Sequence, residues 1–250
     1  MRVLLAGESW TMHTIHQKGF DSFTTTAYAE GHQWLSAAIK AGGHDLDYLP
    51  SHLANDQFPL TPEDLARYDV VLLSDIGSNT LLLPTATFVQ SKPSPNRLES
   101  LRQYVENGGG LVMIGGYLSF QGIEGKARYG GSPVEIALPV TMLPGDDRLE
   151  APNGVKPTVS AADHPIVADL PTTWPDVLGY NRLIARIEAT VVAEANGDPL
   201  LTAWSYGKGR AVAYASDCGP HWAPPAFVEW DGYARLWQQI VGWVGSADRA

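Results

Sequence analysis

One cysteine, Cys218, stands in 250 residues, so no internal disulfide can form, which fits a reducing compartment. Basic residues are scarce as well: 17 Lys and Arg against 27 Asp and Glu leave a formal net charge of −10. Affinity for nucleic acid rests on Lys and Arg clusters that neutralise phosphates, and no such cluster occurs, which argues against a nucleic-acid partner. No apolar run approaches the roughly 20 residues of a membrane span, and "MRVLLAGESW" turns polar too soon for a signal-peptide core. These absences predict a cytoplasmic protein with no membrane partner. Neither G-x-G-x-x-G nor G-x-x-x-x-G-K-[ST] follows the first apolar run, so a nucleotide cofactor is not expected, and no other cofactor is indicated.

What the chain does have is 44% hydrophobic residues, enough at this length for one sizeable α/β core. "RVLLAG" reads as a buried strand ending in glycine. "AYAEGHQWLSAAIKAGG" reads as a helix stopped at Gly42-Gly43, and "HDLDYLP" as a strand near the sheet edge. The alternation repeats. "TPEDLARYD" is a short helix capped by Thr61 with Pro62 in its first turn, and "VVLLSDIGSN" a strand running into a polar loop. "NRLESLRQYVENGGG" is a helix with Leu98, Leu101, Tyr104 and Val105 on one face, and "LVMIGG" the next buried strand. Such alternation predicts a flavodoxin-like α/β sandwich of three layers around a mostly parallel sheet.

From about 118 to 200 the texture shifts to Gly, Pro and short strand-like pieces, which predicts a β-rich insertion within a single domain spanning 1–250. "YGKGR" reads as the turn of an antiparallel hairpin. A final helix is expected from near Pro225, with Phe227, Trp230, Ala234, Trp237, Val241 and Val244 as its core stripe. Tyr233, Leu236, Ile240 and Trp243 fall outside that stripe. If exposed, they would form an apolar patch, which predicts a homo-oligomer.

In sheets of this kind ligands sit outside the carboxyl ends of the strands. The loops at those ends carry Glu8, Ser9, His13, His16, Asp75, Ser78, Asn79, Tyr117, Ser119, Gln121, Asp217, Cys218 and His221. Glu8, Tyr117, Asp217 and His221 are the catalytic candidates, and Cys218 beside His221 is a weaker one. His13 and His16 would share a face if "TMHTIH" were helical, and with Asp217, Asp75 or His221 could form a metal site. No H-E-x-x-H motif or cysteine pair supports that, so the metal question stays open. Asp75 and Asp217 also suit plain loop capping.

Four stretches in order, "GGGLVMIGGYLSFQG", "HPIVADLP" with "WPDVLGYNRL", "DPLLTAWSYGKGRAVAYASD" and "PHW", resemble the glutamine amidotransferase-like proteins, relatives of the class I glutamine amidotransferases. The resemblance covers nearly the whole chain and implies a flavodoxin-like sheet. It also implies an acid after the first strand, here Glu8. True class I enzymes carry G-x-C-x-G at the turn after the nucleophile strand and H-x-E downstream. Here the turn reads "GGYLS", His164 is followed by Pro165-Ile166, and His221 by Trp222-Ala223. A nucleophile, base and orienting acid are all required for that chemistry, and a phenol of pKa about 10 does not replace the thiol. Two function classes follow. One is an amidotransferase-like protein without the usual catalytic cysteine, binding a small polar metabolite or a partner at the strand ends. The other is a hydrolase or transferase acting on a small polar substrate, with or without a metal, with Tyr117 as proton donor and His221 as acid or base.

Overall fold

The computed structural model describes residues 1–246, so the last four residues of the expected 1–250 domain lie outside the described residues. Its strands are β1 (Arg2–Gly7), β2 (Ser9–Lys18), β3 (Asp21–Glu30), β4 (Asp45–Leu49), β5 (Val70–Ser74) and β6 (Gly110–Ile114). They continue with β7 (Val140–Met142), β8 (Arg148–Val155), β9 (Thr158–Val159), β10 (Val177–Asn181) and β11 (Leu183–Ala185). The last three are β12 (Thr190–Ala195), β13 (Asp198–Tyr206) and β14 (Gly209–Tyr214). Eight of them form one sheet in the order β4-β1-β5-β6-β14-β13-β12-β9. The first five run parallel and the last three pair antiparallel. The parallel part has the flavodoxin-like winding, with a crevice at the carboxyl ends where the strand order reverses beside β1.

The apolar runs do what a doubly covered sheet requires. Every residue of β5 and β6 is buried, as are Val3 to Gly7 of β1. Gln33–Ala41 and Asp231–Gly245 pack together as one helical layer, and Ser51–Gln57, Ser78–Leu82 and Arg97–Glu106 form the other. Thr61 caps Pro62–Leu65 by accepting from the Asp64 N–H, and Asn96 caps Arg97–Glu106. The "YGKGR" turn pairs Tyr206 with Gly209 and places Gly207 at φ 59°.

Three expectations need correction, and a fourth, the β-rich insertion, holds with narrower bounds. "SWTMHTIHQK" is neither loop nor helix: it is β2, paired over ten registered positions with β3 in a ribbon whose two-residue turn has Gly19 at φ 63°. The helix expected from Ala27 therefore begins at Gln33. The stretch 118–200 does hold the small antiparallel pairs β8/β10 and β7/β11, yet β9, β12 and the start of β13 join the main sheet. The final helix breaks at Glu229-Trp230 into Pro225–Val228 and Asp231–Gly245. Finally, Tyr233, Leu236 and Ile240 are buried and Trp243 is half-buried, so they form no exposed patch. The helix is gripped from several sides, by β14, β6 and β5, by Gln33–Ala41 and by Pro165–Val167, so its core face is far wider than one stripe. Among the described residues no helix is long and apolar enough to cross a membrane.

Candidate functional site

Three acids collect where β1, β5 and β14 end. Gly7 makes the first placement possible. A Cβ there would lie 1.7 Å from the Ser74 carbonyl oxygen, and with φ at 114° only glycine lets β1 pass so close to β5. The next residue, Glu8, adopts φ 50° and turns its side chain inward. Its carboxylate accepts from the Ser74 hydroxyl at 2.5 Å. Gly31 leaves room on the far side, since a Cβ there would stand 2.6 Å from Glu8 Oε2. Asp75, also left-handed at φ 45°, accepts from the Leu118 N–H at 2.6 Å, and its own N–H donates to Ser119 Oγ at 3.1 Å. Asp217 accepts from the Gly219 N–H at 3.1 Å, and its second oxygen lies 3.9 Å from His221 Nδ1. Non-glycine residues held at positive φ cost free energy, and two of them here aim carboxylates into one space.

Burial pushes all three acids up, and the charge of a neighbouring acid adds to it for Glu8 and Asp217. Burial first, then the charge of Asp75, raises Glu8 to about 7. Burial raises Asp75, and burial followed by the charges of Glu8 and Asp75 raises Asp217 well above the carboxylate range. The same forces keep Cys218 a thiol: it is fully buried, 3.7 Å from Ser74 Oγ, and burial followed by Glu8 and Asp217 raises it strongly. It stands beneath the loop without access to solvent, unsuited to nucleophilic attack.

The sharp turn after β6 is retained. A Cβ on Gly115 would come within 2.1 Å of the Ala215 carbonyl oxygen, and Gly116 has φ 151°. Asn181 spans the turn, accepting from the Gly116 N–H at 3.0 Å and donating to the Gly116 carbonyl and to Asp147. Asp147 in turn accepts from the N–H groups of Gln121 and Gly122. Tyr117, at the place of the usual thiol, donates to Glu150 Oε1 at 3.1 Å under the Arg148 guanidinium, 4.6 Å from its ring. Burial and Glu150 raise its phenol, so it does not ionise to a nucleophile. Its ring meets His221 edge-on at 4.5 Å, and Glu150 also accepts from the Trp222 indole.

These residues line one cavity of about 320 Å³, walled by Glu8, Trp10, Asp75, Tyr117, Asp217 and His221 with Gly31, Gly219 and Pro220. The structure thus brings Glu8, Asp75, Tyr117, Asp217 and His221 together, with Cys218 just below. Ser9 and Ser119 brace loops, Ser78 donates to the Arg128 carbonyl and Gln121 accepts from Gly130. Asn79 sits within the short helix Ser78–Leu82. His13 and His16 do not reach the cavity. In a strand three residues apart means opposite faces, and each ring bonds a ribbon threonine, Thr26 and Thr25 respectively. His164 caps the turn Pro165–Val167 elsewhere. For a metal, one donor atom each from Glu8, Asp217 and Cys218 lies within 4.8 Å of the others, a mixed oxygen and sulfur set suited to a small divalent cation once the thiol gives up its proton. Sequence reasoning missed Trp10, Gly31, Ser74, Glu150 and Asn181. Of these only Ser74, a polar residue closing the apolar run "VVLLS", left a local signal.

Comparison with solved structures finds "Cytoplasmic Protein STM3548" from Salmonella typhimurium at 48% identity and TM-score 0.95, covering 98% of this chain and 99% of that one. "Cytoplasmic Protein STM1381" from Salmonella typhimurium LT2 is similar at 48% identity and TM-score 0.94, with the same coverage. A thua-like protein from Parabacteroides merdae shares the fold, at TM-score 0.59 and 13% identity, over 98% of this chain and 90% of its own. Comparison with curated protein sequences found no match. The sequence profile of the GATase1_like family, described as "Putative glutamine amidotransferase", matches residues 2–246. With the parallel sheet, the glycine turn after β6 and a match across nearly its whole length, the chain belongs to this glutamine amidotransferase-like family.

Proposed function

We propose that this protein is a cytoplasmic, ligand-binding member of its family that holds a small polar molecule rich in hydrogen-bond donors, an organic amine in preference to an acid, without thiol-based glutamine hydrolysis. One observation carries the reading: Glu8, Asp75 and Asp217 face a 320 Å³ cavity whose lining residues include no Lys or Arg. That volume suits a small metabolite. Such a lining offers acceptors and needs donors, and an ammonium group offsets the burial, and for Glu8 and Asp217 the repulsion, that raises the acids. Trp10 and Tyr117 add aromatic surface on which a cation gains further attraction. The cytoplasmic placement is supported by the description of the two Salmonella proteins.

The test is thermal stabilisation and calorimetry with 1,4-diaminobutane, glucose and glutarate at pH 6 and pH 8. The diamine is expected to stabilise, more at pH 8 because Glu8 is then ionised, and Glu8→Gln to weaken binding at least tenfold at pH 8. Equal stabilisation by glutarate, or none by any of the three, would sink the proposal. Glucose acting alone would replace the amine with a neutral polyol. A second reading, a hydrolase or transferase, is favoured by Glu8 itself: a carboxyl raised to about 7 at a cleft is suited to general acid or base work at neutral pH.

A further inference from the structure

The ribbon of β2 and β3 rises from the cavity rim with little packed against it: from Trp10 to Tyr28 every residue but His16 is exposed. Its register sorts the side chains into two unlike faces. One gathers Trp10, Met12, Phe23, Ala27 and Ala29 beside Thr14 and Thr25, with Phe20 fully exposed at the tip, while the other carries Ile15 and Tyr28 among Thr11, His13, Gln17, Ser22, Thr24 and Thr26 and is the more polar. The apolar face is internally ordered, since His16 stacks on Phe23 at 4.5 Å and Lys18 lies 5.7 Å over the same ring. A lone two-stranded ribbon is marginal in water, and an ordered apolar face of this length calls for a partner.

We propose that this face is the docking surface for a second copy of the chain, the two ribbons meeting face to face about a twofold axis. Area and charge both favour a second copy. Ten registered pairs put ten side chains on the face, on the order of 500–600 Å² in all, so two such faces reach the roughly 1,000 Å² a specific interface needs. Of the net charge of −10, the ribbon from Ser9 to Glu30 carries only Lys18, Asp21 and Glu30. Two acidic bodies repel each other, and the ribbon is a nearly neutral surface through which they approach. Isologous contact of a self-complementary face is also the commonest way soluble chains pair. Trp10 belongs to both the ribbon face and the cavity wall, so pairing fixes one wall of the cleft.

Two measurements test this. Light scattering at micromolar concentration is expected to give twice the 27.0 kDa chain mass, falling to one chain for the double variant Met12→Glu, Phe23→Glu. Ile187→Ser, at an exposed apolar residue elsewhere, is expected to leave the mass unchanged. Because the native Cys218 is buried, an added thiol reports the face directly: Thr14→Cys, beside Met12 on the apolar face, is expected to form a disulfide-linked dimer on mild oxidation. Thr24→Cys, on the polar face, is expected to stay unlinked. A monomeric wild type, a ribbon variant that still pairs, or equal crosslinking from both faces would overturn the proposal.

Discussion

Replacing Glu8 by Gln tests the electrostatics of the cleft. Glutamine keeps the shape and, through Oε1, the hydrogen bond donated by Ser74, but it cannot ionise. In the native chain burial and Asp75 raise this carboxyl from 4.5 to about 7. At about 1.4 kcal/mol per pKa unit, the rise is worth about 3 kcal/mol between protonated and ionised forms. The folded state holds this proton more tightly than the unfolded chain does. Its contribution to stability is therefore complete below pH 4.5 and is lost as pH rises through 7. Glu8→Gln removes that loss. Urea titrations followed by tryptophan fluorescence at pH 5, 6, 7 and 8 are expected to show near parity at pH 5. At pH 8 the variant should be ahead by about 2–3 kcal/mol, a melting shift of about 4–10 °C. The groups are buried, so added salt should change the difference little. Parallel pH profiles for the two proteins, or a variant less stable at pH 8, would refute the reasoning.

Other outcomes are expected from the same geometry. Glutamate release from glutamine is expected to be undetectable, and Cys218→Ala to leave that blank unchanged; thiol-dependent release would show that Cys218 becomes exposed. Gly7→Ala, which forces a methyl into the Ser74 carbonyl at φ 114°, is expected to cost more than about 3 kcal/mol by chemical denaturation. Asn181→Ala strips partners from the Gly116 backbone and from Asp147, and is expected to cost about 2–4 kcal/mol. It should also speed amide exchange across residues 116–122, which a purely local loss elsewhere would not do.

Strands β1, β5 and β6 were legible because each is an apolar run closed by glycine or a polar loop, a pattern that burial on both faces imposes locally. The strand-end rule then found Glu8, Asp75, Tyr117, Asp217 and His221, because strand direction decides which loops share a side of the sheet. The ribbon escaped that logic. Its threonine-rich strands bury neither face, and its two faces separate only once the pairing register is known, although "KGFD" between β-branched and aromatic stretches carries the Gly-X signature of a two-residue turn. Asn181, Arg148 and Glu150 were not legible at all. They reach Tyr117 and the turn before it only because β8 pairs with β10 and the pair folds back on the turn after β6, an arrangement with no counterpart in local periodicity.

The lone thiol, sealed under the loop after β14, is also a clock. Cys218 touches Ser74 on β5, and its carbonyl accepts from the Tyr233 hydroxyl on the last helix, so a thiol reagent can reach it only when β5, that loop and the helix part. The rate at which an excess of reagent consumes the single thiol thus counts openings of the sheet's centre, with no added probe. At low reagent the rate should track the equilibrium between closed and open forms, and at high reagent it should level off at the opening rate itself. Any ligand that bridges Glu8 and Asp217 ties that loop to the end of β1, where Glu8 also holds Ser74 of β5, and its affinity could be read from how far it slows the clock.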